Sequence, residues 1–380
     1  MERALEALGD ADGDVAERLC AKLSQALRTT GAVEAAIPLA ERALTIAERL
    51  HLNDVLIEAL DGKGTAYFNL GRHREALILA QGELALADEI GSLRHRSWAL
   101  QAIGISSLEE DPAGALRAFL ESAETARRAG DRAGEMHGLT NGAEGAIELG
   151  SWDEAEEALH HLEGRDVGTE NELAREFGQI LLQAHRGEVA VARRRLDEIA
   201  PRVEGAGQVA MRTWFGRESA LVHLLGGDPG PAFDDAIEAL ELEPTGVNAH
   251  YAAREAARAA VWLRDPDRLH RALEAMASLR GRWIDAVRVT AESGLAALEG
   301  RREDALAGYE RALGEWRALG ARLDQAFCAA DMAHVLPDEE LTTDALAEST
   351  AFLREIGAAS LLERIESVRP SSAHAEVAGA

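Results

Sequence analysis

The chain has 380 residues, enough for two or three ordinary domains or for one long repeat array, and 67 acidic against 40 basic residues leave a formal net charge of −27. That charge repels phosphate backbones and argues against general nucleic-acid or anionic-membrane binding. Hydrophobic residues make up 47% and aromatic residues only 4%, so the apolar content is mostly the helix formers alanine and leucine, and an all-α protein is expected.

The N-terminal stretch MERALEALGDADGD is acidic and polar, with no basic-then-apolar leader, and no uncharged apolar run approaches ~18 residues. A soluble cytoplasmic chain is expected. Asp10-Ala-Asp12-Gly-Asp14 has the look of a calcium loop, but Ala21 stands at the closing glutamate position and the glycine is misplaced, so turn and helix-cap duty is assigned to these aspartates. Cys20 and Cys328 lie far apart and fit neither a metal-ligand spacing nor a disulfide framework.

Turn signals then recur at Gly31, Gly71, Asp111, Gly150, Gly187, Gly227, Asp265, Gly300 and Pro337, with successive differences of 40, 40, 39, 37, 40, 38, 35 and 37. Each is flanked by two apolar-periodic stretches of about fourteen residues, so each unit reads as helix, tight turn, helix, and about nine such hairpins cover residues 1–368 as one array. The tail RPSSAHAEVAGA, ending the chain over 369–380, lacks periodicity and is expected to be disordered. In LDGKGTAYFNLGRHREALILA, Gly64 is expected where two helices cross closely. Tyr67 and Leu70 should fill the hairpin interface, Gly71 the turn, and Ala76 the approach of the second helix.

Other local patterns fall to bland readings. Gly62-Lys63-Gly64-Thr65 is not a phosphate-binding loop, because Ile57 stands where the first glycine must be and Gly64 where a Ser or Thr must follow the lysine. His160 and His161 are adjacent, so on a helix they point in different directions and do not readily share a tetrahedral metal. The basic runs Arg193-Arg194-Arg195 and Arg301-Arg302 are flanked by acids and read as solvated helix faces, and the seventh unit replaces its turn glycine with RDPDR. No HExxH, GxSxG or CxxC arrangement occurs, so no catalytic residue, cofactor or metal is assigned.

The set Gly64, Tyr67, Gly71 and Ala76 resembles the tetratricopeptide repeat at all four of its spacings. Other copies are Ala143 with Gly150, Trp152 and Ala155; Gly227 with Ala232, Ala239 and Pro244; and Ser293 with Gly300, Ala305, Tyr309 and Ala312. The units are longer than the usual ~34 residues. More specifically, the chain resembles the C-terminal repeat arrays of bacterial nucleotide-cyclase regulators and ATP-dependent LuxR-type transcription factors, through ALEALGDADGDVAERLCAKLSQALRTTG at one edge and LGARLDQAFCAADMAHVL and FLREIGAASLLERI at the other. The resemblance implies an α-solenoid coiled into a right-handed superhelix, with the first helix of each pair lining a concave face suited to an extended peptide or partner helix. It also makes MERALEALGD look like the tail of a preceding segment.

On that register the inward positions of the first helices are Arg18 and Gln25, then Asp61, Thr65 and Asn69, then Trp98 and Gln101, then His137, Glu144 and Glu148, then Phe177, Trp214, Arg217, Glu255 and Trp262. The lysine and asparagine set that clamps a terminal carboxylate in chaperone-binding members of the family is absent. Acids with large aromatics instead favour a protein or peptide partner presenting basic and apolar side chains. The expected function is a non-catalytic interaction scaffold in bacterial signalling or transcription control, with oligomeric state open. The alternative is a small-molecule or signal-peptide receptor enclosing its ligand near Phe177 and Trp214.

Overall fold

The protein is represented by a computed structural model that describes residues 33–163 and 168–368. Gly31, Arg18, Gln25, Cys20, the aspartates at 10–14 and the tail at 369–380 lie outside the described residues. Every regular element described is an α-helix, eighteen in all. They are α1 (Val33–Leu50), α2 (Asn53–Asn69), α3 (His73–Glu89), α4 (Leu93–Ser107), α5 (Pro112–Ala129), α6 (Arg132–Leu149), α7 (Trp152–His161), α8 (Gly168–His185) and α9 (Val189–Ala206). There follow α10 (Val209–Leu225), α11 (Pro229–Leu242), α12 (Val247–Leu263), α13 (Pro266–Ala275), α14 (Arg282–Leu298), α15 (Arg302–Leu319), α16 (Arg322–Val335), α17 (Glu340–Ile356) and α18 (Ala359–Val368). Consecutive helices pack on one another, as expected of an all-α helical-hairpin repeat of the solenoid class.

Helix starts and stops follow local chemistry. Asp111 and Asp265 cap α5 and α13 through their carboxylates and are each followed by a proline whose missing N–H costs nothing in the first turn. Gly71 adopts φ 72°, and the Arg72 N–H then closes onto the Tyr67 carbonyl at 2.8 Å, satisfying an orphan acceptor at the end of α2. In the RDPDR turn the left-handed position is taken by Arg264 at φ 55°, one residue before the expected Asp265, which caps the next helix instead. A second series of positive-φ glycines, Gly91, Gly130, Gly168, Gly207, Gly246, Gly281, Gly320 and Gly357, lies at the junctions between pairs, with His51 at φ 55° in that place between α1 and α2.

Two packing expectations change. Tyr67 is half-buried with the Arg72 guanidinium 3.8 Å above its ring, and it is the neighbouring Phe68 that is buried, edge-on to His73. A methyl group on Gly64 would find its nearest neighbour at 3.6 Å, an ordinary contact, so α2 and α3 do not need that glycine in order to meet. The tight crossing lies between α5 and α6: a methyl on Gly138 would stand 2.7 Å from the backbone nitrogen of Ala123.

The described residues fall into two compact units, 33–145 with 161–163 forming one, and 146–160 with 168–368 forming the other. In the second unit α12 is the hub. Every residue from Ala249 to Trp262 is buried, and the helix touches α10, α11, α13, α14 and α16. The last helix, α18, comes back onto α8 and α10, with the Ser360 hydroxyl donating to the Ala184 carbonyl and Leu361 and Ile365 buried. A helix buried all round needs neighbours on every side, and α10, α11, α13, α14 and α16 supply them for α12.

Candidate functional site

In the first unit, the first helices of successive pairs leave a cleft of about 540 Å³ between them. From α2 it is lined by Asp54, Glu58, Asp61, Thr65 and Phe68, a stripe at helical spacing, and from α4 by His95, Trp98, Gln101 and Ile105. Helix α3 gives the floor, with Ala76, Ala80 and the buried carboxylate of Glu83. Exposed Glu58, Arg94 and His137 stand at its mouth.

The α4 wall is pre-positioned. Ser92 caps the helix by accepting from the His95 N–H, and the His95 ring lies 2.8 Å from the Ser92 hydroxyl. The Trp98 indole N–H donates to Asp131 at 3.2 Å, and its ring sits edge-on to His137 with centroids 5.8 Å apart. One turn on, Gln101 is only 3% exposed, and neither its carboxamide nitrogen nor its oxygen has a hydrogen-bond partner among the described residues. Buried amides are otherwise satisfied, because leaving one bare costs ~1–3 kcal/mol. Of the residues picked from sequence in this unit, the structure brings Asp61, Thr65, Trp98, Gln101 and His137 together in the cleft. Asn69 and Glu144 are half-buried on the same helices and outside its lining.

The residues picked further along behave differently. Phe177 is fully buried against Trp214 at 5.2 Å, and Arg217, Glu255 and Trp262 are buried as well. They do not line an open groove. Glu148 is bound by Arg254 at 2.6 Å; Arg254 also donates to Glu255 at 2.7 Å and Asp324 at 3.1 Å. Arg258 joins Glu255 at 3.3 Å, Asp324 at 3.6 Å and Asp331 at 3.9 Å. Tryptophan indoles complete the set, Trp262 donating to Asp331 at 2.7 Å and Trp283 to Asp324 at 3.0 Å. Arg217 pairs with Glu218 at 3.2 Å and lies 4.5 Å over the Tyr251 ring. The stripe of first-helix residues is therefore present in this unit but is used up on itself.

Ionisation within this cluster follows burial and partner. Burial acts to raise Glu148, but the Arg254 guanidinium outweighs it and holds the carboxyl below its usual range. Asp324 goes the other way: desolvation outweighs Arg254 and pushes it up. Burial lifts Asp331 to about 7 against the pull of Arg258 and the Trp262 hydrogen bond, and lowers His185 to about 4. The Cys328 thiol, also buried, is pushed well up and is inert as a nucleophile. Gly62-Lys63-Gly64-Thr65 lies inside α2, as helix and not as loop. Among the described residues no helix is long and apolar enough to cross a membrane, and no group of three or more His, Cys, Asp or Glu is placed to hold a metal.

One half of the network could have been found in the sequence. Arg254, Glu255 and Arg258 are set among the alanine pairs of α12, and opposite charges one turn apart in such a setting signal a buried ion network. Asp324 and Asp331 come from a helix seventy residues on, and no spacing rule links them.

No protein-family model matches the chain, and no curated protein matches it by sequence. Among solved structures it is similar to a Rap protein complexed with competence and sporulation factor, with a TM-score of 0.56 at 12% identity, over 93% of this chain and 99% of that one. At that identity the likeness speaks for the fold alone, an all-α array of helical hairpins.

Proposed function

We propose that the protein is a non-catalytic, tetratricopeptide-like scaffold that binds a peptide or an extended protein segment in the cleft of its first unit. The observation that carries this reading is the cleft itself: an acidic stripe on α2 faces an aromatic and amide wall on α4 over a small-residue floor. Such a surface suits a segment with a basic side chain beside apolar ones. The fold neighbour, solved in complex with a named factor, supports binding as the role of this architecture. A regulatory part in bacterial signal transduction or transcription control, in the cytoplasm, is the setting in which such a scaffold makes sense. The cleft volume also falls within the ~300–1,000 Å³ of small-molecule sites, which keeps a small-ligand receptor as the second reading.

Panning the full chain against displayed random linear heptapeptides tests the proposal. Enriched peptides should carry Arg or Lys, and Asp61→Lys should cut their binding more at low salt than at high salt. No enrichment, or enrichment indifferent to Asp61→Lys at both salt concentrations, would overturn it.

A further inference from the structure

Among the described residues, Gln101 is the one lining the cleft whose buried polar atoms, donor and acceptor alike, have no hydrogen-bond partner. Its neighbours are fixed by contacts of their own: Trp98 by Asp131, Ser97 by the Arg94 carbonyl, His95 by Ser92. A carboxamide presents a donor and an acceptor side by side in one plane, and the complementary group is a residue of an extended chain, whose own N–H and C=O point to the same edge. The floor of the cleft beside it carries the small side chains of Ala76 and Ala80, which leave room above them for a main chain.

We infer that Gln101 is the recognition group of this cleft, gripping the main-chain N–H and C=O of one residue of an extended ligand through its carbonyl oxygen and its amide nitrogen, while the α2 carboxylates select the flanking side chain. This rests on the reading of the cleft as a peptide site. It makes main-chain geometry, and not sequence alone, a determinant of what binds. It also makes Gln101 a residue retained at a cost to stability, since an unmet buried amide is worse for the free protein than an apolar side chain of similar size.

The test uses the most enriched heptapeptide from the panning, synthesised with each backbone nitrogen methylated in turn, against the full-length wild type and Gln101→Leu. One N-methylated position should bind wild type at least about tenfold more weakly. Gln101→Leu should bind the parent peptide about as weakly and be nearly indifferent to methylation at that position, while its melting temperature equals or exceeds that of wild type. A melting temperature lowered by several degrees would make Gln101 a structural residue and sink the inference. So would a parent peptide that is sensitive to Asp61→Lys yet bound normally by Gln101→Leu, and that result would leave the peptide site itself standing. If no peptide is enriched, both fall together.

Discussion

The two units carry the same kind of stripe on the first helices of their pairs and put it to opposite uses. In the first, Asp54, Glu58 and Asp61 face Trp98 and Gln101 across an open cleft. In the second, Glu148, Glu255, Asp324 and Asp331 close over Arg254 and Arg258, and the indoles of Trp262 and Trp283 cap the carboxylates. The difference lies in what surrounds the stripe. The hub α12 has helices on all sides and so its charges must find one another, because a lone buried ion costs several kcal/mol. Polar residues on an inward helix face therefore mark a binding surface only where no other helix of the chain already covers them.

The sharpest way to break the contrast is at Arg254. Arg254→Met should strand Glu148, leave Glu255 and Asp324 to Arg258, and cost ~3–5 kcal/mol in urea unfolding, with the cleft of the first unit unaffected. Loss of less than ~1 kcal/mol would show that the network is solvated rather than buried.

The second prediction concerns pH. Asp331 is raised to about 7 when folded, so it stabilises fully below its unfolded value near 3.8 and that contribution is lost as pH rises through 7. His185 is lowered to about 4 from 6.5, so its contribution is present above 6.5 and lost as pH falls through 4. Their slopes oppose each other between pH 4 and 6.5 and largely cancel. Asp331→Asn should unmask the histidine, giving stability that rises with pH by ~2–3 kcal/mol across that window, and His185→Phe should unmask the aspartate, giving a fall of similar size. Thermal melts from pH 4 to 7 read both, and two unchanged profiles would remove the two groups from the interior.

Smaller effects separate the two glycines of the first unit. Gly138→Ala should cost ~1–3 kcal/mol because its methyl meets the Ala123 backbone, which cannot step aside as a side chain can. Gly64→Ala should be neutral or stabilise by up to ~1 kcal/mol, since helix interiors favour alanine and its methyl has room. Chemical denaturation of the pair decides this, and equal losses would contradict the assigned crossing.

The hairpin period was legible because it is written in single residues. Gly71, Gly150, Gly187, Gly227 and Gly300 occupy left-handed turns, and Asp111 and Asp265 cap the helices that follow. Part of the cleft was legible as well, since Asp61 and Thr65 share the α2 face with Phe68, and Trp98 and Gln101 share the α4 face. The floor from α3 is not legible in the sequence, where the second helices carry only a packing role, and the hairpin interface expected of Tyr67 is filled by Phe68 against His73.

Composition and turn spacing thus determined by themselves that the chain folds as successive helical pairs, because helix propensity and left-handed turn residues act over a few neighbouring positions. Which inward faces stay open was decided only by tertiary structure. The meeting of Glu148, Arg254 and Asp324, or of Ser360 with Ala184, depends on the summed curvature of many helix crossings, and no local pattern encodes that sum.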